Sequence, residues 1–180
     1  MANRQALRDL QTRLAERLQA ARTNTSQGAS WLAVQAGGRN YLLPLEQAGE
    51  IFSWPGVQRV PYTSSWFWGV ANLRGSLAGV VDLAAYLGHP MERTEQSLHE
   101  VSLLAVNLAL QVNVALVVDR LQGLRGVNDF EAAAGVPEPS TGKSDPEAVG
   151  ASYTDSTGLV WQVLHLHQLV QSPDFLNIRI

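Results

Sequence analysis

The side chains of this chain that could do chemistry are few, and their spacing argues against most reactions. Residues 140–144 read "STGKS", a fragment of a phosphate-binding loop, but that motif needs glycine five positions before Gly142, where Pro137 stands. Pro146 occupies the place where a helix should begin and no strand pattern leads in, so Lys143 is expected to be a solvated loop residue. His165 and His167 lie two apart on a strand-like run and could share a face and a metal ion. No third ligand accompanies them, and His89 and His99 lack carboxylate or serine neighbours, so structural or surface roles are expected for all four histidines. The chain has no cysteine, which removes disulfides, thiolate nucleophiles and Cys-ligated metals together. It has no GxSxG elbow for an activated serine. Glu50, Asp82 and Asp119 each end or interrupt an apolar strand, where an ordinary exposed acid sits. No catalytic residue, metal site or cofactor follows, and the chain is not expected to be an enzyme.

One charged residue in an unusual setting remains. "FWGVANLRGSLAGVVDL", Phe67–Leu83, places Arg74 in an apolar run beside Gly69, Gly75 and Gly79. A guanidinium so placed is either a solvated turn residue or one presented to a partner. Trp54, Tyr62, Trp66, Phe67 and Trp68 lie close by; most should fill the core, although Trp and Tyr at a surface make good anchors for protein partners.

The elements that position these residues follow from composition and pattern. With 180 residues, 46% hydrophobic and 16% charged, the chain reads as one packed globular domain, long enough for two lobes. Its net charge of −3 offers no basic field for a phosphate backbone, so nucleic acid is not an expected partner. The start spreads Arg and Gln through its apolar residues, unlike a secretory signal. The most apolar region, Val101–Val118, is broken by Asn107, Gln111 and Asn113, and falls short of the ~18–20 residues that span a bilayer. A soluble, cytoplasmic protein is predicted.

Leu7, Leu10, Leu14 and Leu18 recur at helical spacing and predict an amphipathic helix over residues 3–21, ended by the polar stretch 23–30. From Trp31 onward, "WLAVQA", "GGRN" and "YLLPL" read as strand, turn and strand, and "EQAGEIFSW" as a further strand. "TSSWFWG" reads as a turn or short helical segment, and "LAAYLG" as a short helix before Pro90. Leu104, Val106 and every second residue on to Val118 are apolar, which predicts one core-facing side and a hairpin turning near Ala109–Gln111. Residues 128–150 read as a polar loop, and the end as a strand running into a helix near Leu166–Gln171. Many short strands and few helices predict a mainly β fold of small barrels or a sandwich, with no evident repeat although the two halves could each form a barrel.

"YLLPLEQAGEI" followed by "GVANLRGSLAGVVDLAAYLG" resembles the CheW family of chemotaxis adaptor domains, in which "NLRG" and "DL" recur at this spacing. "VALVVDRLQGL" and "VLHLHQLV" are similar to that family's later strands and final helix, so the resemblance spans residues 30–171. It implies two small five-stranded, SH3-like β-barrels packed on a shared core in residues 29–171, with an N-terminal segment 1–28 and a tail 172–180. It also implies no catalytic activity and no cofactor. Such proteins bridge a CheA-type histidine kinase, through that kinase's regulatory domain, to the hairpin tip of methyl-accepting chemoreceptors, in the cytoplasm beside membrane-bound receptor arrays. On matching positions, Glu50 and Arg74 would pair near the partner-binding surface, Asn72 and Gly75 would shape the turn holding Arg74, and Asp82 would end the next strand. Ile51 and Val70 would supply apolar attraction.

The sequence departs from the pattern in three places. Ala78-Gly79 replace an apolar residue and proline, which predicts a looser strand edge, and His165 replaces Asn or Asp before the last helix, a weaker N-cap. The Leu-striped N-terminal segment, with "WFWGVANLRG", makes the chain more similar to adaptors of type IV pilus, or twitching-motility, systems than to flagellar ones. Competing readings are a regulatory domain from a kinase, a small-barrel nucleic-acid binder, and a hydrolase using His165 or His167.

Overall fold

A computed structural model describes residues 31–132 and 148–180. The N-terminal helix expected over 3–21 and the "STGKS" stretch lie outside the described residues. The fold is mainly β. β1 (Trp31–Ala36) and β2 (Arg39–Pro44) form a hairpin around Gly37-Gly38, both in the left-handed region that favours glycine. The chain then crosses to a second sheet with β3 (Ala48–Ser53), β4 (Phe67–Leu73) and β5 (Ser76–Asp82). Two one-turn helices follow, α1 (Leu83–Tyr86), capped by Asp82, and α2 (Glu95–Leu98), capped by Thr94. β6 (Ser102–Val106) and β7 (Val114–Val118) complete the second sheet. The chain returns to the first with β8 (Arg120–Arg125), β9 (Phe130–Ala132), β10 (Val149–Asp155) and β11 (Val160–Leu164), and ends in α3 (Leu166–Gln171) and α4 (Pro173–Leu176).

The sheets have the orders β8-β1-β2-β11-β10-β9 and β3-β6-β7-β5-β4. They do not correspond to the two halves of the chain; the second sheet is inserted whole into the first. Leaving out the three-residue β9, β10-β11-β2-β1-β8 repeats β4-β5-β7-β6-β3 in its pattern of pairing: antiparallel, parallel, antiparallel, antiparallel. A helix follows the second strand of each set. The repeat lies in topology rather than in sequence.

Each barrel has its own small core and both share a larger one. Leu103, Ala115, Val117 and Val80 pack inside the second barrel, while their neighbours Leu104, Leu116, Val118 and Val81 join Val34, Leu43 and Leu164 between the sheets. The expected one-sided alternation over 104–118 is therefore replaced by strands buried on both faces, as in near-continuous apolar runs such as "VALVV". The hairpin between β6 and β7 is present; it turns through a 3-10 helix, Leu108–Leu110, and Gln111 in the left-handed region. β5 lies between β4 and β7, so Ala78-Gly79 sit in the sheet interior and not at a loose edge.

Other local expectations are refined. In "TSSWFWG" only the start is a turn, since Phe67 and Trp68 begin β4. Phe130–Ala132 and Val149-Gly150 are strand residues at the ends of the expected 128–150 loop. His165 caps α3 without a side-chain hydrogen bond; the first turn instead donates the His167 N–H to the Gln47 side chain at 3.1 Å. In segment 172–180, Phe175 is buried against Trp66 and Tyr86, and Ser64 donates its N–H to the Ile178 carbonyl at 2.7 Å. Burial raises the Tyr86 pKa, against a lowering hydrogen bond to Ser172.

Because Leu116 lies in the core common to both barrels, Leu116→Ala should cost about 2–5 kcal/mol. Native-state hydrogen exchange should show protection falling in both sheets, not in one. A second prediction comes from the β10–β11 turn. There the Asp155 carboxylate accepts from the Thr157 hydroxyl, the Trp161 Nε1–H and the N–H groups of Leu159 and Thr157, which lowers its pKa from 3.8 to about 2. A depressed pKa favours the folded state above pH 3.8, and this contribution is lost as pH falls through about 2. Asp155→Asn should accordingly lower Tm at neutral pH, with the difference from the parent shrinking below pH 3.8 in melts run as a pH series.

Candidate functional site

The β4–β5 hairpin turns on two residues, Arg74 and Gly75, with Leu73 opposite Ser76. Both turn residues have positive φ, 49° and 87°, the backbone of a two-residue turn matched to strand twist. Glycine adopts it freely; arginine does so at a cost, and local contacts hold it there. Asn72 Oδ1 accepts the Gly75 N–H at 2.7 Å across the turn. Arg74 Nη1 lies 2.6 Å from Glu50 Oε1, with the two side chains 75% and 43% exposed. Its guanidinium carbon stands 5.8 Å from the centre of the Phe52 ring.

Glu50 and Phe52 belong to β3, one edge of the five-stranded sheet, and Arg74 belongs to the hairpin at the other edge. The ion pair therefore sits on the seam where the sheet closes into a barrel. Below it, Trp54 and Trp68 meet edge to face at 5.6 Å. Gln58 and Val70 exchange backbone hydrogen bonds of 2.8 and 2.9 Å, which occupies the free side of β4. Gly69 makes that approach possible: with φ 131°, a Cβ there would stand 2.0 Å from the Gln58 carbonyl oxygen.

Cross-strand pairing puts Val70 opposite Gly79 and Asn72 opposite Leu77, on the face that continues to Val81 in the shared core. Val70, Asn72 and Leu77 thus share one surface at the rim of the contact between the barrels, with Leu77 64% exposed. Ile51 is also exposed, on β3. Leu77 was not among the residues expected at the site, since in sequence it reads as one more core position; only the strand's reach beyond the shared core exposes it.

Asp82 differs from the expectation. It lies buried beneath the surface, accepts the Ala85 N–H at 3.3 Å as the cap of α1, and faces Arg93 Nη2 at 3.4 Å. Tyr62, one of the five aromatic residues expected mostly to fill the core, is almost wholly exposed. His165 and His167 are not brought together with a third ligand: no group of three or more His, Cys, Asp or Glu is placed to hold a metal among the described residues. No helix among them is long and apolar enough to cross a membrane.

The described residues form two interlocked barrels, with an arginine-bearing hairpin at the seam of one of them. The model of the CheW-like domain matches residues 30–174, and the chain belongs to that family. Among characterised relatives, Protein PilI of Pseudomonas aeruginosa is 29% identical over 161 residues, covering 89% of this chain and 85% of that protein. Chemotaxis protein CheW of Rhizobium meliloti is 29% identical over 110 residues, covering 61% and 68%. The crystal structure of the scaffolding protein TtCheW from Thermoanaerobacter tengcongensis superposes with a TM-score of 0.61 at 18% identity, over 79% of this chain and 92% of that one. The fold is shared with that scaffold.

Since Gly69 combines a positive φ with a backbone close approach, Gly69→Ala should destabilise the barrel by about 1–3 kcal/mol or more. Urea denaturation measures the loss, and exchange should speed at the Val70 amide before that of Val117 on the interior strand.

Proposed function

We propose that this protein is a non-enzymatic chemosensory scaffold that couples methyl-accepting receptors to a CheA-type histidine kinase. In this reading residues 29–171 form the adaptor unit, which works in the cytoplasm beside receptor arrays. The carrying observation is the arginine hairpin fixed on the barrel seam of a CheW-like fold, with Arg74 exposed and oriented by Glu50. An exposed pair of this kind contributes under about 1 kcal/mol to stability. Its value lies in recognition: a guanidinium held in one place discriminates between partners and sets their register. Asn72 and Gly75 hold the turn, exposed Ile51 and Leu77 and half-buried Val70 supply apolar area beside it, and Asp82 supports the surface from beneath.

The kinase would be met through its own regulatory domain of the same fold, and the receptor through its helical hairpin tip. The likeness to PilI, longer than that to the Rhizobium CheW, favours a type IV pilus, twitching-motility pathway over a flagellar one. The net charge of −3 favours protein partners over nucleic acid.

Arg74→Glu puts two carboxylates on the seam and should lower affinity for the cognate kinase regulatory domain at least tenfold, a change of ~1.4 kcal/mol. Melting should stay cooperative and near the parent Tm. The exchanged variant carrying Glu50→Arg with Arg74→Glu restores the pair but not its polarity toward a partner, and should remain weak. Parent-level binding by Arg74→Glu in titration calorimetry would overturn the assignment of Arg74 as a docking determinant.

A further inference from the structure

A second ion cluster lies inside the molecule. Arg93, in the loop between α1 and α2, has 8% of its side chain exposed. Its Nη2 is 3.4 Å from Asp82 Oδ1 and its Nη1 donates to Asp119 Oδ1, those carboxylates being 3% and 16% exposed. The guanidinium also stands 5.7 Å over the Trp68 ring of β4. Its Nε is buried without a hydrogen-bond partner, so both hydrogen bonds of the group run to the two aspartates.

Those aspartates belong to different parts of the assembly. Asp82 ends β5 of the five-stranded sheet. Asp119 sits at the crossover from β7 to β8, where its N–H donates to the Gln35 carbonyl at 2.8 Å and its Oδ2 accepts the Gly37 N–H at 2.7 Å. Gly37 turns the β1–β2 hairpin of the six-stranded sheet. It is seated tightly: a Cβ there would stand 2.8 Å from the His89 carbonyl oxygen and 3.1 Å from Ala84 Cβ at α1. A continuous polar path thus runs from β5 through Arg93 and Asp119 to the β1–β2 turn.

Apolar burial between the sheets attracts strongly but without direction, so two packed sheet faces keep most of their contact when one rotates on the other. A guanidinium forked between two carboxylates has direction, and so has the amide donor beyond it. Buried ion pairs are weak contributors to net stability, and geometry is what such a cluster can specify. Two carboxylates on one guanidinium leave a negative excess, which the Gly37 and Ala85 N–H groups offset.

We infer that Arg93 is a positioning residue that, through Asp82 and Asp119, fixes the angle between the two barrels. Through that angle it sets the shape of the surface carrying Val70, Asn72 and Leu77. Only this last consequence rests on the adaptor reading.

The absence of cysteine allows a direct test. Nitroxide labels on Ala109→Cys and Ala151→Cys, exposed positions on the β6–β7 turn of one barrel and on β10 of the other, report the inter-barrel distance by double electron–electron resonance. Arg93→Met, Arg93→Lys and Asp119→Ala should each broaden the distance distribution about twofold or move its mean, as expected when two barrels are no longer locked. Val163→Ala, in the small core of the other barrel, should lower Tm and leave the distribution unchanged. If Arg93→Met does not fold, the other two decide, since Arg93→Lys keeps the charge and Asp119→Ala leaves Arg93 paired with Asp82. A folded variant of the cluster with the parent's distribution overturns the inference. Binding of the kinase regulatory domain to the unsubstituted protein is measured separately, so failure of the adaptor reading is distinguishable from failure of this one.

Discussion

Burial of β5, β6 and β7 on both faces is the constraint from which the rest of the architecture follows. A strand with Val80 turned into one core and Val81 into another cannot be satisfied by its own barrel. The second face must be covered, and the six-stranded sheet covers it with Val34, Leu43 and Leu164. The barrels are therefore halves of one core. Insertion of the five-stranded sheet between β2 and β8 adds two covalent crossings at the place where the apolar faces meet.

Such a core leaves little room for polar groups, and its paired aspartates lie at strand ends. Asp119 stands where the chain leaves β7 for β8, and Asp82 where β5 becomes α1. Each accepts hydrogen bonds from backbone N–H groups as well as from Arg93. A buried carboxylate is costly unless such donors reach it. The seam of the barrel is governed differently. Phe52, Trp54, Trp68 and the Gln58–Val70 exchange provide apolar area and close the edge. Glu50 and Arg74, exposed in the same seam, can vary without endangering the closure.

These differences explain what could be read from the sequence. The end of β1 at Gly37-Gly38, the helix from Leu83 and the helix Leu166–Gln171 are local matters of turn chemistry and periodicity and are legible, although β2 begins at Arg39, inside the expected "GGRN" turn. The Glu50–Arg74 pair was visible only by resemblance, because the two residues lie on strands brought together by closure. The burial of Asp82 was not legible, since its environment depends on Arg93 in a loop with no motif. Leu77 and Val81 have the same type and the same strand phase. Only the extent of the opposing sheet exposes one and buries the other, and that extent is set by pairings distant in sequence.

The topological repeat gives the site its context. In one copy the hairpin corresponding to β4–β5 is β10–β11, whose turn is closed by Asp155 accepting from Thr157, Leu159 and Trp161. That carboxylate is spent within its own turn. In the other copy Asn72 accepts the Gly75 N–H across the turn, and Arg74 is left with its side chain outside, beside Glu50 and the Phe52 ring. The same hairpin frame thus carries a self-satisfied turn in one barrel and a presented cation in the other. The strand following each leads into a helix, capped by the Asp82 side chain in one copy and left to the distant Gln47 in the other. Strand pairing is what the two copies must keep in common to share a core, so difference accumulates at turns and caps: one barrel satisfies its turn internally, and the other leaves a cation outside it.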